Sequence, residues 1–97
     1  MSRLTDAAEA LACAAAAIRF NVVVADYELG ADLPVAKRHQ HRHELKADGW
    51  TSVAEALDAA ITLCPKHNAA DRWRADRDAA RDHAAFHRQV ITSYKAA

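Results

Sequence analysis

The sequence predicts an all-α fold: an antiparallel bundle of three to four helices, with long first and last helices and a broken middle arm. Two observations carry this. Leu4, Ala8, Leu11, Ala15, Ile18, Val22, Ala25 and Leu29 alternate four and three apart without a slip. That spacing is the a/d seam of a helix packed lengthwise against other helices. Glycine and proline number two each in 97 residues, so helices run long and are rarely punctuated. The length fits a single helical domain over residues 1–97.

The first helix is expected over 5–29. Asp6 and Glu9 sit favourably against its N-terminal dipole, and Gly30 supplies a C-terminal stop. Residues 18–24 also alternate like a strand, but the seam runs through them unbroken and the only other β-prone stretch is 90–94. Asp32 and Pro34 mark the start of a second helix over 34–47, ended by Gly49. Its only apolar residues are Val35, Ala36, Leu45 and Ala47. A helix so polar is exposed, bridging or not stably formed.

Ser52 and Glu55 make a capping box for a third helix. Val53, Leu57, Ala60, Ile61 and Cys64 line its buried face, and Pro65 stops it. Asn68 caps a fourth helix that reaches Tyr94, with Trp73, Ala80, Ala84, His87, Ile91 and Tyr94 facing inward. Its outer face is dense in charge, with pairs such as Arg74 and Asp78 one turn apart. Trp50 and Trp73 are expected to close the ends of the bundle.

Composition narrows the function. Leu, Ile, Val and Phe supply only 18 of 97 residues, whereas alanine supplies 25. Zero net charge and strong periodicity argue against disorder. The core should therefore be thin and alanine-built, which favours a helical partner or self-association. Thirteen basic residues balance thirteen acidic ones, without the broad positive field of a nucleic-acid binder. Nine arginines to four lysines, with the alanine excess, point to a GC-rich genome such as that of an actinobacterium or its phage. Cys13 and Cys64 read as buried or free thiols of a reducing compartment. The apolar run 11–18 follows Asp6 and Glu9 and precedes Arg19. It suits neither a secretory leader nor a membrane span, so a cytoplasmic location is expected.

Histidine is the overused reactive residue. His39/His43 and His83/His87 each have i, i+4 spacing, which puts two imidazoles on one helix face. If the two faces met, the four would form a zinc or other transition-metal site, with Glu44, Asp78 and Asp82 as supporting carboxylates. Cys64 and His67 have CxxH spacing but lack a second half-site, and read as a helix-end cysteine and a loop histidine. The segment 37–46 carries Lys37, Arg38, Arg42 and Lys46 against Glu44 alone. No aromatic residue interleaves, so an acidic protein surface is a better partner for it than nucleic acid. A helix-turn-helix over 45–60 is disfavoured, because its recognition helix would turn Glu55 and Asp58 toward phosphates. Neither a credible nucleophile nor a Gly-rich phosphate loop is present.

Arg38-His39 with His43, and Arg81-Asp82 with His87, resemble the motif of HEPN-type ribonucleases. Those are small helical bundles with an arginine, a polar residue and a histidine four to six residues on. The resemblance implies metal-independent RNA cleavage, with arginine and histidine acting at the scissile phosphate across a dimer. It covers these few residues only. The tyrosine often found two residues after the histidine is missing, since Leu45 and Gln89 stand there.

The expected function is a small non-catalytic protein-interaction or regulatory module, phage- or mobile-element-encoded and acting on a host protein. Lys37, Arg38, Arg42 and Trp50 form its expected contact surface, and a protein with an acidic surface its expected partner; self-association is also compatible. No cofactor and no membrane are expected. The histidine-rich zinc bundle and the ribonuclease stand as alternatives.

Overall fold

A computed structural model describes residues 2–24 and 34–96. Among the described residues the chain forms three helices and no strand: α1 (Arg3–Val24), α2 (Val35–Leu63) and α3 (Ala70–Ala96). The all-α class is therefore correct, and residues 18–24 are helical. The seam positions Ala25 and Leu29, the stop at Gly30 and the start signal at Asp32 lie outside the described residues.

Helix α1 begins earlier than expected because Ser2 caps it: its Oγ accepts the Thr5 N–H at 3.1 Å. The seam holds from Ala8 to Val22, with Ala8 and Ala15 buried and Leu11, Ile18 and Val22 packed against the core, whereas Leu4 at its start is exposed.

The broken middle arm is not observed. Helix α2 is one unit of 29 residues running through both Gly49 and Ser52. The reason is local. Gly49 faces α1, where a Cβ would overlap Val22 Cγ2, so this glycine serves close helix approach instead of termination. Ser52 is exposed within the helix, and the neighbouring Thr51 turns its Oγ back to the Ala47 carbonyl at 2.8 Å. Helix α2 ends at Cys64, whose N–H reaches the Ala60 carbonyl at 3.0 Å, before Pro65.

Helices α1 and α3 each pack extensively on α2 and touch each other only slightly. Both run antiparallel to it: Thr5 lies near Cys64 and Val22 near Gly49, while Trp50 meets His83 and His43 meets His87. The molecule measures 52 × 24 × 14 Å. Helix axes pack about 8–10 Å apart, so a closed triangular bundle would have two nearly equal short dimensions. Here they differ strongly, and the helices form an open layer. The core follows the middle helix, where Val53, Ala54, Leu57, Ala60 and Ile61 meet Ala8 and Ala15 on one side and Ala70, Trp73, Ala80 and Ala84 on the other. Ala8, Ala60 and Ala80 are fully buried, which is the thin alanine core the composition implied.

Candidate functional site

The layer is concave on one face, and there a trough of about 270 Å³ opens. Trp50, Val53 and Leu57 of α2 and Trp73 of α3 form its floor. Ala12, Ala15, Ala16 and Arg19 make the α1 wall; Arg72, Asp76, Ala79 and His83 make the α3 wall. Helical spacing produces this arrangement. Trp50, Val53 and Leu57 lie three and four apart, and Arg72, Asp76, Ala79 and His83 repeat the same steps. The trough is small and open on one side, unlike an enclosed small-molecule pocket. Trp50 is 8 % exposed and stacks on His83, with ring centroids 4.4 Å apart. Trp73 is 7 % exposed and stacks on His67 at 4.4 Å. The two tryptophans thus line the trough rather than seal the ends of a bundle. One cation stands on each wall: Arg72 approaches Asp76 at 4.0 Å, and Arg19 has no ion pair among the described residues.

The expected contact residues separate. Lys37 is exposed, and Arg38 and Arg42 are half-buried on the N-terminal part of α2. Their Nε atoms are buried without a hydrogen-bond partner. Trp50 belongs instead to the trough floor.

The four candidate metal ligands also separate. His43 and His87 do meet, Nδ1 to Nδ1 at 2.8 Å. One ring donates and the other accepts, so this bond does not survive with both imidazoles charged. His83 is stacked on Trp50, and His39 is exposed. Among the described residues no group of three or more His, Cys, Asp or Glu side chains is placed to hold a metal ion. The proposed supporting carboxylate Asp78 is engaged by Arg77 at 3.1 Å.

The same histidine contact bears on the nuclease-like motifs. His43 and His87, the histidines of the two motif copies, touch each other, while Arg81 is bonded to Asp58 at 2.9 Å. The Arg81 guanidinium is thereby directed at a carboxylate on α2.

Two polar features escaped the sequence reading. Asp58 of α2 accepts from Arg77 and Arg81 of α3, each at 2.9 Å, clamping the two helices. Asp58 first, then Asp78, hold the Arg77 guanidinium in its charged form, raising its pKa above the ordinary value. Arg74, spaced to meet Asp78, bonds Asp71 and the Pro65 carbonyl instead. The second feature is His67. Its Nδ1 accepts the Ala69 N–H at 2.9 Å, so Nε2 carries the proton and donates to Glu9 of α1, also at 2.9 Å. His67 thus takes the role expected of Asn68 at the start of α3.

No family model matches this chain, and neither a curated protein nor a solved structure matches it.

Proposed function

We propose that this protein is a non-catalytic binding module whose recognition face is the concave trough. The partner is a protein presenting an amphipathic helix with an apolar stripe bordered by acidic residues. The carrying observation is the trough itself, which lies over the largely covered Trp50, Val53, Leu57 and Trp73 between two walls that each bear an arginine. A helix laid in such a groove sets its apolar stripe against the exposed wall alanines Ala16 and Ala79 and turns its carboxylates to the rims. Half-buried Arg38 and Arg42, with exposed Lys37, extend the same positive character along α2. A regulatory role on a host protein fits this reading, as does a phage or mobile-element origin.

The zinc reading has two convergent imidazoles, whereas a structural zinc site takes four ligands. The trough is therefore the better-supported site.

Affinity capture from nuclease-treated host lysate tests the proposal when wild type is compared with Ala79→Glu. That substitution puts a carboxylate on an exposed trough wall without touching the core. One protein retained by wild type and lost with Ala79→Glu supports the trough. Equal retention by both sinks it. Both tryptophans line the trough, so their fluorescence reports binding of a purified partner directly.

A further inference from the structure

Helix α1 carries a second seam. Ala7, Ala10, Ala14, Ala17, Asn21 and Val24 alternate three and four apart, and all six are exposed. Cys13 and Phe20 flank this stripe, and Phe20 is 66 % exposed. Leu4, Val23 and Val24 are also more than half exposed, so large apolar side chains gather on the uncovered part of this one helix. A helix apolar nearly all round is ordinarily buried all round. Here only the seam facing α2 is covered.

The chain as a whole exposes more surface than a compact monomer of its mass. A compact monomer of 10.6 kDa exposes about 5,500 Å², whereas this chain exposes 6535 Å². The excess of roughly 1,000 Å² belongs to the open layer as a whole, of which the outer face of α1 is one part, and it is comparable to the loss of about 600–1,000 Å² by one partner in a standard interface. The radius of gyration is likewise 15.6 Å, against about 12.5 Å for a compact chain of this length.

We propose that the outer face of α1 is a homodimerisation surface, on which α1 of a second copy packs antiparallel. A twofold axis between Ala14 and Ala17 sets Ala7 against Val24 of the partner subunit. It also sets Ala10 against the partner's Asn21 and Ala14 against the partner's Ala17. Each larger residue then meets an alanine, and the two backbones approach closely along the stripe. Antiparallel packing also opposes the helix dipoles. A heptad repeat of small residues specifies another helix. The face holds no cluster of charge that would select a charged partner.

A lipid surface is the competing occupant, because the 22-residue α1 contains an 18-residue stretch of mean hydropathy 1.6 and is long and apolar enough to cross a membrane. Two observations weigh against it. Ala8 and Ala15 are buried on α2 and Val22 fits over Gly49, contacts that a spanning α1 would abandon. Arg3 and Arg19 are the only cations on α1, opposed by Asp6 and Glu9, so it lacks the basic rim of an interfacial helix.

The test is sedimentation equilibrium of the full chain, untagged, with Ala14→Glu and, as a control on the exposed back of α3, Ala85→Glu. The expected result is twice 10.6 kDa for wild type and Ala85→Glu. Ala14→Glu is expected at the monomer mass with its helical circular dichroism unchanged. A wild-type monomer overturns the proposal, as does a dimer that survives Ala14→Glu. Dimerisation lost with the trough variant Ala79→Glu but kept by Ala14→Glu assigns the interface to the other face and also overturns it. Wild-type flotation with phosphatidylcholine–phosphatidylglycerol vesicles, abolished by Ala14→Glu, gives the face to lipid. Loss of the trough partner leaves the α1 interface standing, so the two readings fail separately.

Discussion

His67 joins three parts of the fold through one ring. Its Nδ1 receives the Ala69 N–H, its Nε2 reaches Glu9, and its face covers Trp73. His67→Ala removes a cap, a cross-helix bond and a stack together. The expected loss is about 1–2 kcal/mol, read as a lower urea midpoint, whereas Glu9→Ala costs less because cap and stack remain. Equal losses in the two variants would show that cap and stack together contribute nothing. Asp58 is the second residue of this kind, with two arginines of α3 on one carboxylate. Asp58→Asn is expected to lower Tm by a few degrees at low salt and by less in 1 M NaCl, since a half-exposed pair is screened. The raised Arg77 pKa makes its contribution complete at neutral pH, to be lost only as pH rises through that value in strong alkali. Neither residue was legible in the sequence. The Cys64-to-His67 spacing suggests metal or loop, and Glu9 lies 58 positions away, where no local pattern points.

The helices themselves were far more legible than their joints. The a/d seam of α1 and the inward stripe of α3 were readable because burial on a helix repeats every three to four residues. Trp73, Ala80, Ala84 and His87 are indeed buried, whereas Tyr94 is 41 % exposed. Gly49 defeated the same reasoning, because a glycine after a polar stretch signals a stop as readily as a close approach. Only the position of Val22 on another helix distinguishes the two. Gly49→Ala is accordingly a sharp probe. On helix propensity alone it would stabilise by about 1 kcal/mol. The overlap with Val22 Cγ2 reverses the sign, since valine is stiff at χ1 and the overpacking cost is about 1–3 kcal/mol. Gly49→Ala is expected to unfold at lower urea than wild type, and Val22→Ala/Gly49→Ala to recover at least part of the difference. A more stable Gly49→Ala single variant would mean that α1 does not pack over Gly49.

At the scale of the molecule, periodicity shows which faces are apolar but not which remain uncovered. The thin alanine core was implied by composition; the open layer was not. Three helices of this length can close on one another or lie side by side, and alanine seams serve both. The second seam on α1 stands in the sequence, but small residues carry little hydrophobic signal and were absorbed into the first. Its consequence is thermodynamic as well as geometric. If α1 dimerises, folding and association are linked, and the folded state is stabilised by mass action. Tm is then expected to rise as protein concentration is raised from micromolar to hundreds of micromolar. The same series on Ala14→Glu should be flat and lie at or below the lowest wild-type value. A purely monomeric fold gives two flat series, and a stability difference alone would shift one without giving it a slope. The slope isolates the interface from any effect of the substitution on the protomer.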